Sequence, residues 1–460
     1  MKLYVRKLSV VLLLLTLILS FQSPVYSAIQ PRVKYVIVMI ADGTGFAHLG
    51  LTQYYNKFLL DEELTITDEL FKKGRIGIAT TYTADELVTD SAAAGTAIAT
   101  GKKTNNRMIS VLPDGTPVKT VMERAIELGY KTGLIAKSTI TDATPAVFAS
   151  HVPHRSQQDV IASQYLEKKI DIILGGGKSY WLPKSKGGSR TDERDLVEEA
   201  KTLGYSVVSN LSEMEKVESG KLLGLFASGN IPYRLDADPT VIPSLSDMTE
   251  KAIDLLYKDS NGFFLMVEGS RVDHASHNND AASVVTELRE FDDAVKVALD
   301  FYNEHPRETL LIVTTDHDNG GLSLIYNYDS EGNERYATVE DLNRIFMVPF
   351  SFEKAKSVVD KEGVEKLFNE HYVGEIAISK EWQDRLTAGK LVTPGLYDPF
   401  YANLAAGFTD VYMVSWSTNA HTATPVWVVS LGPGSTSLTG YIDNTDIGKV
   451  IFRVLGEFIK

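Results

Sequence analysis

Acidic, imidazole and hydroxyl side chains recur along this chain, each group close to the end of an apolar run. Ser91 stands in Thr89-Asp90-Ser91-Ala92-Ala93-Ala94-Gly95-Thr96, at the head of a small-residue stretch, 91–100, that reads as a short helix stopped by Gly101. A serine there meets free backbone N–H groups and the positive end of the helix dipole, which together favour an anion. The position suits a nucleophile, and it equally suits an N-cap residue on an Ala-rich core helix. A nucleophilic serine also needs a partner that lowers its pKa.

Four other stretches offer such partners. Asp42 follows the apolar run 35–40 in Ala41-Asp42-Gly43-Thr44-Gly45. Ligands of open α/β sheets bind at that strand edge, although an Asp-Gly turn would explain the residue as well. The richest stretch is Glu268-Gly269-Ser270-Arg271-Val272-Asp273-His274-Ala275-Ser276-His277, past the run 262–267. Asp273 and His277 have the spacing that puts two ligands on one helical face. A core strand rarely ends in two carboxylates and two imidazoles without a reason, since each unpaired charge is costly to bury; a polar loop is the alternative. Asp316 and His317 follow the run 309–314, and His421 precedes the run 426–431. Asp142 and Thr144, in Thr141-Asp142-Ala143-Thr144-Pro145, read in isolation as helix caps, and Arg155 as a surface residue. Gathered on one edge, these side chains suffice for three divalent ions. A metal beside Ser91 would lower its hydroxyl pKa, and two ions ~3.5–4 Å apart suit phosphoryl transfer.

Composition narrows the chemistry. The chain has no cysteine, which excludes thiolate metal sites and disulfides. His, Asp, Glu and hydroxyl ligands remain, a set suited to zinc and magnesium. A net charge of −14 argues against a nucleic-acid-binding surface. It would also repel an anionic substrate unless bound cations reversed the local field. Lys2, Arg6 and Lys7, followed by the apolar run 8–21, form a secretory signal over 1–27, with cleavage before Ala28. No later stretch is long and apolar enough to span a membrane. The expected mature protein is therefore soluble and exported, periplasmic or extracellular.

Apolar runs predict strands at 35–40, 131–136, 170–174, 204–209, 222–227, 262–267, 309–314 and 426–431. Helices are expected at 91–100, 118–128, 246–257, 280–304 and 446–458, with another opening near residue 143. Strands and helices alternate, which predicts an α/β fold: one doubly wound, mostly parallel sheet with helices on both faces. The segment 178–194 reads as a solvated surface excursion. The pattern loosens over 326–412, an expected insertion over one face serving as a lid or dimer contact. With no convincing linker, 28–460 is expected to form one domain.

Taken together, Asp42 in its Asp-Gly loop, Thr-Asp-Ser-Ala-Ala, Asp-Ala-Thr-Pro-Ala, Val-Glu-Gly-Ser-Arg-Val-Asp-His-Ala-Ser-His, Thr-Thr-Asp-His and Ala-His-Thr resemble the alkaline phosphatase family, in that family's order. The resemblance implies a phosphomonoesterase with two zinc ions and one magnesium ion. Ser91 would become phosphoserine. Asp273, His277 and His421 would hold one zinc, and Asp42, Asp316 and His317 the second, together with the Ser91 oxygen. Asp42 would bridge to magnesium, also bound by Thr144 and Glu268. Arg155 would clamp two phosphate oxygens, while Asp142 and His274 would tune the third site and the phosphate. A homodimer acting on small phosphate monoesters is expected. Asp318, His48, His151, His154, His305 and His371 match no ligand position. A phosphodiesterase is disfavoured because such relatives use threonine as nucleophile, and a sulfatase because Ser91 lacks the Cys/Ser-x-Pro-x-Arg context. An inactive phosphate- or metal-binding protein would lack a ligand or the nucleophile, and none is missing.

Overall fold

The computed structural model describes residues 33–258, 261–328, 331–389, 398–457 and 459. The expected signal peptide lies outside them. Ten strands build the central sheet: β1 (Tyr35–Ile40), β2 (Arg75–Thr80), β3 (Lys131–Thr139), β4 (Ile172–Gly176), β5 (Tyr205–Val208), β6 (Lys221–Leu225), β7 (Phe263–Glu268), β8 (Thr309–Thr314), β9 (Val426–Leu431) and β10 (Gly440–Asp443). Their order is β10-β2-β9-β8-β1-β7-β3-β4-β6-β5. Only β9 runs against its neighbours, β2 and β8.

Strands β1, β7, β8 and β9 are buried on both faces, which is why each reads as a nearly unbroken apolar run. In β1, Tyr35, Ile37 and Met39 point into one core, while Val36, Val38 and Ile40 point into the other. Helices that contribute to the two cores include α1 (Ser91–Thr100), α2 (Ala143–Ala149), α3 (Leu245–Tyr257), α4 (Arg271–His277), α5 (Ala281–Glu304), α6 (Pro399–Tyr412) and α7 (Thr445–Val454). The first core packs α3, α4 and α5; the second packs α1, α2 and α7. This is the expected doubly wound α/β sheet. No helix among the described residues is long and apolar enough to cross a membrane.

Four features differ from the sequence expectations. Strands β2 and β10 have no continuous apolar run. In β2, Ile76 and Ile78 stay 41% and 39% exposed, so only alternate positions carry a burial signal. The helix expected over 118–128 begins at Val121, because Thr120 and Glu123 form a reciprocal capping box. The final helix stops at Val454. The 178–194 segment is anchored: Trp181 and Arg190 are buried, and Arg190 donates to the Asp159 and Tyr180 carbonyls and to Ser163.

Within 326–412, Tyr326–Tyr328 pairs with Glu334–Tyr336 as a hairpin, followed by helices ending in α6. Phe408 and Tyr412 of α6 are buried and stack at 4.6 Å. The helix Phe352–Glu362 is tied to α5, since the Phe352 amide donates to Asp280 Oδ2 at 2.7 Å.

Candidate active site

The side chains singled out from the sequence converge on one edge of the sheet. Strands β1, β7 and β8 end at Asp42, Glu268 and Asp316-His317. The loop after β2 delivers Ser91 at the start of α1, and β3 leads to Asp142 and Thr144 at the start of α2. Because β9 is antiparallel, His421, which precedes it, reaches the same edge. Gly43 permits a close approach: its φ is +69°, and a Cβ there would lie 2.7 Å from Asp273 Oδ1. Any side chain at that position would push Asp273 away from Asp42.

Two sets of side chains are grouped as metal ligands would be. Asp42, Asp316 and His317 present ligand atoms within 4.8 Å of one another, and so do Asp273, His317 and His421. His317 Nε2 lies 3.1 Å from Ser91 Oγ, 3.4 Å from Asp316 Oδ2 and 3.5 Å from Asp42 Oδ1. His277 adjoins the second set, with Nε2 at 3.2 Å from His421 Nε2 and 3.3 Å from Asp273 Oδ2. The tautomers decide what those contacts mean. His277 Nδ1 meets the Asn419 carbonyl and His421 Nδ1 the Thr89 carbonyl, each at 2.8 Å. A carbonyl only accepts, so both Nδ1 atoms carry the hydrogen, and both Nε2 atoms are turned to each other and to the Asp273 carboxylate. Such an arrangement calls for a cation, and donors ~2.0–2.1 Å from a tetrahedral zinc would stand at about this separation.

The region expected to form the third site is similarly composed. Thr144 Oγ1 donates to Asp42 Oδ2 at 3.1 Å. Asp42 Oδ1, Glu268 Oε2 and Asp316 Oδ2 are buried with no hydrogen-bond donor, a costly state for carboxylates unless cations neutralise them. The residues therefore fit hard divalent ions.

Electrostatics agree. Burial, then Asp316, Asp273 and Glu268, raise Asp42 well above the carboxylate range. Burial lifts Glu268 to about 8, and burial together with Asp273 lifts Asp316 to about 7. Asp273 goes the other way: His277, His421 and His317 outweigh its burial and hold it low.

Ser91 and Arg155 line a cavity of about 930 Å³ together with Asp273, His274, His277 and His421. Arg155 donates from Nη1 to Asp90 Oδ2 at 3.1 Å and from Nη2 to Asp142 Oδ1 at 3.0 Å. Burial raises the Asp142 carboxyl, but the Arg155 guanidinium outweighs it and keeps it below its usual range. Burial and the Arg271 charge push His274 down to about 4.

The family profile described as alkaline phosphatase matches residues 33–456. The chain belongs to the alkaline phosphatase family. Alkaline phosphatase 3 of Bacillus subtilis (strain 168) is 39% identical over 448 residues, covering 94% of this chain and 91% of its own. Thermus thermophilus alkaline phosphatase superposes with a TM-score of 0.84 at 28% identity, covering 95% of this chain and 96% of that one. A cold-active alkaline phosphatase from Shewanella sp. gives a TM-score of 0.77 at 30% identity, over 92% of this chain and all (100%) of that one. The chain is accordingly a phosphoric monoester hydrolase with metal-binding residues.

Three residues at this alkaline phosphatase site carry parts that sequence reasoning did not assign. Asp90 caps α1, with Oδ1 accepting from the Ala93 amide at 3.0 Å, and pairs with Arg155. Its place before Ser91 was a readable capping signal. Asn319 donates from Nδ2 to Asp273 Oδ1 at 2.7 Å, a long-range contact with no local signature. Arg271, inside the quoted motif, meets His274. Of the residues set aside, His154 also lines the cavity. His48 is buried against Ser276, and His151 meets Glu123.

Proposed function

We propose that this chain is an exported alkaline phosphatase that hydrolyses phosphate monoesters through a phosphoserine at Ser91. In this reading zinc is held by Asp273, His277 and His421, and by Asp42, Asp316 and His317, with magnesium at Asp42, Thr144 and Glu268. Zinc bound there would lower the pKa of the Ser91 hydroxyl and of water, and would polarise the ester oxygens.

The observation that carries the reading is Ser91 Oγ, 3.1 Å from His317 Nε2, at the start of α1 and in one cavity with Arg155. The dipole of α1 favours the negative charge that gathers at Ser91. Arg155 binds two non-bridging oxygens of the phosphoryl group and orients phosphorus towards Oγ. The Oγ–P bond forms as the ester P–O bond breaks, and the alcohol leaves with a proton. Water then attacks phosphorus, the Oγ–P bond breaks, and inorganic phosphate and the Ser91 hydroxyl are restored. Asp90 and Asp142 hold the guanidinium throughout.

The test is p-nitrophenyl phosphate turnover by metal-loaded protein, with acid quenching to trap phosphate on the Ser91 peptide. Ser91→Ala should lower turnover by several orders of magnitude and abolish the trapped species. Wild-type turnover in that variant would remove the assignment.

A further inference from the structure

Arg271 is a buried cation whose hydrogen bonds join two distant parts of the chain. Its side chain is 2% exposed, and its guanidinium carbon lies 3.7 Å from the centroid of the Tyr233 ring. Nη2 donates to Glu353 Oε2 at 2.7 Å, in the first turn of the helix Phe352–Glu362. Nη1 lies 2.8 Å from His274 Nδ1. Its Nε–H is buried without a partner. The guanidinium is therefore placed by its ends at the cost of an unmet donor, and such a buried exception calls for a functional explanation.

The direction of the Arg271–His274 bond has a chemical consequence. Arginine only donates and does not lose its proton, so His274 Nδ1 must accept. The ring is then neutral and its single N–H sits on Nε2. The His274 ring lines the same cavity as Ser91 and Arg155.

We propose that Arg271 is a positioning residue for phosphoryl transfer, holding His274 in the Nε2–H tautomer as a fixed neutral donor to the phosphoryl group. Glu353, from the 326–412 segment, keeps Arg271 in place. The proposal rests on the phosphomonoesterase reading of the cleft. A donor locked before the substrate arrives needs no reorganisation during reaction, and the tautomer of a histidine is set by the bond its other nitrogen makes.

The test is a double-mutant cycle on the full-length, metal-loaded protein, reading kcat/KM for p-nitrophenyl phosphate, melting temperature and metal content. Arg271→Met should lower kcat/KM about tenfold when His274 is present, a coupling typical of contacting residues, and by less than about twofold on top of His274→Ala. Equal factors in both backgrounds would overturn the proposal. Glu353→Gln, at a carboxylate 53% exposed, keeps the test open if Arg271→Met does not fold. Its loss should be smaller and should also vanish with His274→Ala, whereas a loss that persists overturns the link. Histidine 15N shifts supply a readout independent of turnover. The native protein should show one Nε2–H tautomer at His274, and Glu353→Gln or Arg271→Met a mixture. A mixture in the native protein would overturn the proposal even with phosphatase activity intact. A single tautomer in a protein without that activity would instead count against the reading of the cleft.

Discussion

Arg155 and Asp90 form an ion pair at 3.1 Å, and the other oxygen of the same carboxylate caps the helix that begins at Ser91. One aspartate thus sets the distance between the proposed nucleophile and the proposed clamp. Asp142 repeats the device from α2, whose first amide it caps at 2.7 Å. The guanidinium is held at both ends before substrate arrives.

Arg155→Ala should raise KM for monoesters and reduce kcat/KM by about 2–4 kcal/mol. A monoester dianion offers two charged oxygens to the fork, whereas a diester has one charge fewer and a substituent in its way. Diester hydrolysis should lose much less, so the preference between them should narrow. The assay is kcat/KM for both substrates, with metal content checked. Equal losses would show that Arg155 is not a monoester clamp.

Asn319→Ala should weaken metal binding about 10- to 100-fold, as loss of a ligand-orienting hydrogen bond typically does. Its amide fixes Asp273 Oδ1 at 2.7 Å and also donates to the Asp273 carbonyl at 3.1 Å. Activity titrated against buffered zinc should shift to higher free metal while the plateau changes little. Superimposable titration curves would rule out the orienting role.

Chelation should lower melting temperature and activity together. Three buried carboxylate oxygens with no donor, on Asp42, Glu268 and Asp316, destabilise the fold in the absence of cations. Ions that bind only the native state add RT ln(1 + [L]/Kd), about 4 kcal/mol at a thousandfold excess over Kd. An unchanged melting curve after verified metal removal would sink this account.

Acid stability depends on a cluster away from the site. Burial alone would raise the Glu123 carboxyl, but His151, Lys168 and the Thr120 amide outweigh it and take it from 4.5 to about 2. Because the folded value is depressed, the stabilisation is present above the unfolded value and is lost as pH falls through the folded one. Glu123→Gln in chelated protein should cost on the order of 2–3 kcal/mol at pH 7, and the gap to the parent should close as pH falls from about 5 to about 2. Denaturant unfolding at several pH values reads this directly. A gap that stays constant down to about pH 2 would reject the assignment.

Much of this arrangement was legible because polar residues stood immediately after buried parallel strands. Asp42, Glu268, Asp316 and His317 were found that way, and the spacing of Asp273 and His277 placed both on α4. Strand β2 leads to Ser91 yet leaves a weak signal, because its apolar stretch Ile76-Gly77-Ile78-Ala79 is short, broken by Gly77 and flanked by Arg75 and Thr80. Gly77 is needed there, since a Cβ would come within 2.8 Å of the Leu438 carbonyl. The anchoring role of Arg190 is hidden in the sequence, because a basic, Gly- and Ser-rich segment resembles a solvated loop until its carbonyl partners are known. Partnerships such as Arg155 with Asp90, or Asn319 with Asp273, depend on tertiary approach and leave no periodic trace.

The reversal of β9 gives assembly of the centre a direction. Asp42 emerges early in the described chain and His421 late, and His421 reaches its neighbours from the stretch that leads into β9, paired between β2 and β8. The 326–412 segment lies between β8 and His421 in the chain, so it must be synthesised before the last of these side chains exists. Closure of the centre is an event of the nearly complete polypeptide, and a chain truncated ahead of His421 can carry the serine, the arginine and most of the carboxylates yet never complete the cluster.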